Sequence, residues 1–386
     1  MVMRLKFRMQ LLWYLLRLLV MRGNALRLGQ YLYRAVTDFV KSSRLPQWKR
    51  VSQCEGRIVR IGFVGAGNFA RYHLDVLASS GHVEVTAICS TGSERSRVLA
   101  ADYQIGEVYS DLTQFVEAEA VDAYFVVVPA LKMHSIALEL LTAGKPIFIE
   151  KPAGLSSSDT RQLLDQARKY NTFAMVGYNR RFYSVVEHGL AALADCGPIR
   201  GGICEVPEMI SGWRHSRKHD PVVYDNWMFI QSSHAIDLFR YILGRVKSVK
   251  TVNVPNHGWQ NAAASFNSLV EFENGICGHI MSLWDVHPRW RIRIVAERGS
   301  IEFDGLETCY LCTEKNERIP IPRDQIDSKF RNGIFAQDMK FIEAVQRNSP
   351  PSLPACLLED AFETNRLIEK ILGDVETGEV DSIELD

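Results

Sequence analysis

The sequence predicts an α/β chain: an N-terminal Rossmann-type, doubly wound parallel sheet, then a second α+β domain with an open, largely antiparallel sheet. Three observations carry this. A glycine segment, Gly65-Ala66-Gly67-Asn68-Phe69-Ala70, directly follows an apolar run; strand-like and helical patterns then alternate up to residue 149; and beyond residue 199 short β-type runs succeed one another with turn signals between them.

The first run, residues 58–64, is almost wholly apolar, as expected for a parallel strand covered on both faces. Gly65 permits a tight turn, Gly67 lets the backbone approach a pyrophosphate, and the small Ala70 allows the next helix to pack closely, aiming its first N–H groups, near Asn68 and Phe69, at phosphates. The amphipathic stretch through Tyr72, Leu74, Val76 and Leu77 and the strand-like run 83–88 supply the context this motif requires. A nicotinamide dinucleotide, NAD or NADP, is the expected cofactor. An NAD site places Asp or Glu at the end of the second strand, to bind the ribose 2′-OH. This chain has Ser90 and Thr91 there, with Arg95 close behind, a set that could accommodate a 2′-phosphate and tilts the expectation toward NADP.

The run 122–128 leads into Pro129, a helical pattern with His134 ends at Gly144, and the run 147–149 leads into Glu150-Lys151-Pro152. In a doubly wound sheet the ligand crevice lies at the carboxyl ends of the strands, where Lys151 falls. Helical patterns at 157–170 and 229–243, and β-type runs at 199–206, 246–254, 266–272, 275–284, 290–295 and 300–303, complete the body. The expected organisation is an extension at 1–55, a dinucleotide-binding domain at 56–178, a substrate and oligomerisation domain at 179–330, and C-terminal helices at 331–386 that return to the first domain and end in a polar tail.

Taken together, the glycine turn, Val128-Pro129 with His134, Gly144-Lys145-Pro146 before Glu150-Lys151-Pro152, Gly177-Tyr178-Asn179-Arg180-Arg181-Phe182 and Ser233-His234-Ala235-Ile236-Asp237 resemble the Gfo/Idh/MocA oxidoreductases over roughly residues 57–375. The resemblance implies that Lys151 and His234 meet at the substrate as acid/base residues, and that Pro129, His134, Glu150 and Lys151 border the cofactor. It also implies that the second sheet mediates homo-oligomer contacts. Alcohol oxidation independently calls for such groups, because a hydroxyl proton must leave with the hydride. Many members carry Asp or Asn four residues before the histidine; this chain has Ile230, with Asp225 and Gln231 off that spacing. The expected activity is hydride transfer to or from a CH–OH carbon of a sugar, nucleotide sugar or cyclitol. The alternative is a dinucleotide-binding scaffold or sensor with reduced turnover. Tyr178, Asn179 and Arg181, with Trp213 and Arg214 in the basic loop 211–220, are the candidate substrate contacts.

The chain has 45 basic and 45 acidic residues, yet residues 1–60 carry thirteen Lys or Arg against Asp38 and Glu55, leaving the rest net acidic. Nucleic acid is therefore not an expected partner of the enzyme body. The apolar stretch 9–21 is shorter than the ~20 residues of a membrane span, and no small-residue cleavage pattern follows it. From Arg27 onward the pattern is helical, with Leu28, Leu32, Val36 and Phe39 on one face; residues 1–45 could lie at an anionic membrane surface, dock on a partner subunit, or be an upstream stretch from a misassigned start. The expected location is cytoplasmic, with peripheral membrane association left open. Of the eight cysteines, Cys309 and Cys312 form a lone CxxC with no second pair, so free thiols and no metal are expected.

Overall fold

The computed structural model describes residues 57–118, 120–210, 220–254, 265–373 and 375–376. The extension 1–55, the loop residues Trp213 and Arg214, and the tail from 377 lie outside the described residues.

The first sheet contains β1 (Val59–Val64), β2 (Val83–Cys89), β3 (Glu107–Tyr109), β4 (Ala123–Val126), β5 (Ile147–Ile149) and β6 (Ala174–Val176), all parallel, in the order β6-β5-β4-β1-β2-β3. β1 is buried at every position but Arg60, because helices cover both faces of the sheet. The strand order reverses between β1 and β4, which opens the crevice above their carboxyl ends.

The second sheet has β7 (Ile199–Glu208), β8 (Val246–Val254), β9 (Ser265–Phe272), β10 (Cys277–Trp284), β11 (Arg291–Ala296), β12 (Gly299–Asp304), β13 (Thr308–Thr313) and β14 (Arg318–Pro320), in the order β14-β13-β12-β11-β7-β10-β9-β8. These pair antiparallel except β7 with β10, which run parallel. Burial alternates along β9 and β10, so one face is covered. The helix Ser233–Leu243 covers it with Ala235, Ile236, Leu238, Phe239 and Leu243. Its approach is close enough that a Cβ at Gly202 or Gly278 would press into the Phe239 ring at 2.8 or 2.7 Å.

The single helical pattern expected over 229–243 is in fact two windings. A π-helical turn, Met228–Ser232, precedes the α-helix Ser233–Leu243. Apolar periodicity does not register one inserted residue, and such turns occur frequently at functional sites.

From residue 334 to 357 the chain lies against the first sheet. Helix Ile334–Arg347 packs on helix Ala70–Ser79 and sends Phe341 edge-on against Phe125 and Phe148, with centroids at 5.3 and 5.8 Å. Strand β15 (Cys356–Leu357) then pairs antiparallel with β6, and helix Leu358–Gly373 packs against helix Ser157–Lys169. β16 (Val375–Glu376) joins the second sheet beside β8. All seven described cysteines are free thiols, and the described residues contain no cluster able to hold a metal ion. No described helix is long and apolar enough to cross a membrane.

Candidate active site

The glycine turn is built by the backbone. Gly65 adopts φ +115°, and a Cβ there would collide with the Val127 carbonyl, so only glycine fits. Its N–H donates to Cys89 O at 2.8 Å, tying the end of β1 to the end of β2. Around Gly67 a Cβ would meet nothing within 4 Å. The N–H groups of Ala66, Gly67, Asn68 and Phe69 find no acceptor among the described residues. Open space beneath successive unpaired N–H groups at the start of helix Ala70–Ser79 fits a pyrophosphate.

Ser90 stands beside this turn, but its hydroxyl accepts the Gly92 N–H at 3.3 Å, while Thr91 and Arg95 are exposed. Pro129 begins helix Ala130–Leu141, on which His134 is half-buried with an Nε2 that has no partner among the described residues.

Lys151 follows β5 and is drawn toward the second sheet: its Nζ donates to the Ile230 carbonyl at 2.6 Å. The position expected to carry Asp thus contributes a main-chain oxygen from the π-helical turn. Burial pushes the Lys151 ammonium down to about 8, with Arg180 and Arg331 adding repulsion against the opposing pull of Glu150 and Glu208. His234, in the first turn of the following helix, is 7% exposed, and its Nδ1 has no partner among the described residues. Burial, then Arg180, Lys151 and Arg331, hold it well below the ordinary histidine range, so its imidazole is neutral.

Three expected substrate contacts lie in the protein interior. Arg181 is buried, with its guanidinium on both Asp237 oxygens at 2.6 and 2.7 Å and on Asp360 at 2.9 Å. Asn179 is 4% exposed and donates to Asn332 O at 2.9 Å, fastening the loop before helix Ile334–Arg347. Tyr178 is in the core, its ring edge-on to His234 at 6.0 Å, where it supports the imidazole from behind.

Glu150, expected beside the cofactor, also turns inward. Its carboxylate receives the Lys151 N–H at 3.0 Å and lies 3.4 Å from His73 Nε2, while His73 Nδ1 sits 2.8 Å from Asp338. Burial would lower the His73 pKa, but the carboxylates Asp338 and Glu150 outweigh it and raise it to about 10. The buried His73 side chain thereby joins the helix behind the glycine turn, helix Ile334–Arg347 and the strand end carrying Lys151.

Sequence reasoning missed Arg180, Glu208, Trp290 and Arg331. Glu208 ends β7, is 4% exposed and accepts from Ser232 Oγ at 3.1 Å. Burial pushes its carboxyl up to about 7, although nearby Trp227, Ser232, Trp290 and Arg180 favour the ionised form. The Trp227 N–H itself stays outside hydrogen-bond geometry. A carboxylate close enough to influence Lys151 and Arg180 thus comes from a neighbouring strand, where no spacing rule along the His234 helix would find it.

Comparison with known proteins matches residues 59–178 to an oxidoreductase family with an NAD-binding Rossmann fold and residues 200–302 to the GFO/IDH/MocA C-terminal domain. The 4-carboxy-2-hydroxymuconate-6-semialdehyde dehydrogenase of a Sphingobium species is 25% identical over 82% of this chain and 98% of its own. Among solved structures, the UDP-N-acetylglucosamine 3-dehydrogenase of Acidithiobacillus ferrooxidans superposes with TM-score 0.67 at 18% identity, covering 82% of this chain and 98% of that one. The WlbA dehydrogenase of Bordetella pertussis, solved with NADH and UDP-GlcNAcA, gives TM-score 0.66 at 18% identity over 82% and 95%.

Proposed function

The chain belongs to the GFO/IDH/MocA oxidoreductase family, and we propose that it oxidises or reduces a CH–OH carbon of a sugar-like substrate, with Lys151 as the principal acid/base and His234 beside it. The observation that carries this reading is Lys151 itself, half-buried at the carboxyl end of β5, held by the Ile230 carbonyl and depressed to about 8.

When bound, a nicotinamide dinucleotide supplies the hydride acceptor or donor. Ala66 to Phe69 offer its phosphates their backbone N–H groups, and the half-buried His134 Nε2 offers a further polar contact. Ser90, Thr91 and Arg95 present no carboxylate to a 2′-phosphate, which supports tolerance of NADP alongside NAD. Lys151 in its neutral form takes the substrate hydroxyl proton, and in its charged form returns it to the carbonyl oxygen in the reverse direction. The Ile230 carbonyl fixes where the amine points. His234, neutral, hydrogen-bonds the reacting oxygen instead of delivering net charge. Across the outer face of the second sheet, Ile203, Leu269 and Val252 are 42, 54 and 56% exposed, which supports assembly of like chains through that face.

Lys151→Ala tests the assignment on any substrate found by screening sugars, nucleotide sugars and cyclitols for NAD(P)H formation. Turnover should fall by roughly 10²–10⁴, the range of general acid–base catalysis, while NADH affinity holds. In the wild type, kcat/KM for oxidation should rise with pH through about 8, as the amine loses its proton. Full activity in Lys151→Ala would refute the role.

A further inference from the structure

Two consecutive arginines in the short 3₁₀ turn Asn179–Phe182 have opposite fates. Arg181 is saturated by Asp237 and Asp360, and Arg240, 4% exposed, also reaches Asp360 at 2.8 Å. Arg180 is half-buried and has no carboxylate within ion-pair distance among the described residues. Its guanidinium lies over Trp290, 5.1 Å from the ring centroid, and 6.0 Å from that of Tyr183. Its one hydrogen bond to another side chain among the described residues is a long one, to Asn179 Oδ1 at 3.5 Å, and stacking on an aromatic face orients a guanidinium while leaving the rest of its N–H edge for a planar anion.

The surroundings add positive charge. Lys151 and Arg331 both act on His234 together with Arg180, and Arg331 likewise has no ion-pair partner among the described residues. Of the carboxylates within electrostatic reach, Glu150 is engaged by His73, Glu208 is kept from full ionisation by burial, and Glu307 acts only from beyond contact.

The dinucleotide does not account for Arg180. Arg331 stacks on Phe69 and Tyr72, 5.2 and 5.0 Å from their centroids, on the side of the glycine turn. Arg180 follows β6, three strands from β1 and on the far side of Lys151, a lateral offset of roughly 14 Å at ~4.8 Å per strand. We infer that the substrate carries a carboxylate, bound by the edge of the Arg180 guanidinium while Trp290 holds its plane, with the reacting CH–OH presented to Lys151 and His234. This deepens the oxidoreductase reading and rests on it.

The test uses the full chain saturated with NADH and two matched pairs of probes, D-glucuronate against D-glucose and quinate against myo-inositol, titrated by calorimetry. A charge-assisted pair predicts that a carboxylate binds roughly 10- to 100-fold more tightly than its neutral counterpart. Arg180→Met should erase that ratio, Arg180→Lys should keep part of it, and NADH affinity should change by less than about twofold in both, since Arg180 lies off the dinucleotide. The wild-type ratio needs no variant to fold. No carboxylate preference in either pair, or a preference that survives in Arg180→Met, overturns the inference and leaves the oxidoreductase reading standing. Failure of NADH to bind wild-type protein overturns both.

Discussion

The two halves of the cleft are built from different material. On the proposed dinucleotide side the lining is main chain: Gly65 at φ +115°, the open space over Gly67 and the N–H groups from Ala66 to Phe69, which have no acceptor among the described residues. On the substrate side the work falls to side chains brought together from β5, the turn after β6, the end of β7 and the helix carrying His234. The first half tolerates little variation in backbone but is indifferent to most side chains. The second depends on which of several charged groups the protein neutralises internally.

That contrast can be broken at the ion pairs. Asp237→Ala should cost about 3–5 kcal/mol, the range for stripping one partner from a buried pair, because Arg181 and Thr364 both donate to Asp237. Thermal melting of the wild type and variant checks this; a loss under 1 kcal/mol would mean Arg181 finds other compensation.

The His73 link between the halves should appear as alkaline lability. Its folded pKa, raised to about 10 from an ordinary value of 6.5, means its stabilising contribution is complete below about 6.5 and is lost as pH rises through about 10. Melting temperature should fall over that window more steeply in the wild type than in His73→Gln. Parallel curves would show that the imidazole is neutral throughout.

Gly67→Val sharpens the dinucleotide side. With no protein atom near a Cβ at that position, melting temperature should barely move, yet NADH affinity, read by fluorescence titration, should fall at least ~10-fold because the side chain takes the phosphate's place. Equal losses of stability and binding would show the turn to be structural only. The smallest effect is expected from Ser90→Asp: a severalfold shift in the NADPH to NADH affinity ratio toward NADH, through repulsion of a 2′-phosphate. An unchanged ratio would move the 2′ subsite away from Ser90.

The same division explains what could be read in advance. The parallel sheet, the glycine turn and the placement of Lys151 after a strand were legible because each follows from local periodicity or from backbone needs only glycine meets. Arg180 and Arg181 were not separable. In a 3₁₀ turn consecutive side chains point about 120° apart, so adjacent residues of one type reach different surroundings, and the decisive Asp237 and Asp360 lie 56 and 179 positions from Arg181. His73 looked like one more residue in an amphipathic helix; Asp338, which charges it, is 265 positions away. The π-helical turn had no signature in the apolar pattern around Ile230, and Trp213 and Arg214 lie outside the described residues.

The bond from Lys151 to the Ile230 carbonyl has a consequence for how this site can vary. A peptide oxygen belongs to every residue type, so exchanging one apolar side chain for another at position 230 leaves the acceptor where it was. What sets the acceptor is the gauge of the winding over Met228–Ser232. Deleting one residue there would restore a regular helix, rotate the carbonyls that follow and set the lysine adrift, although every side chain of the site would still be present.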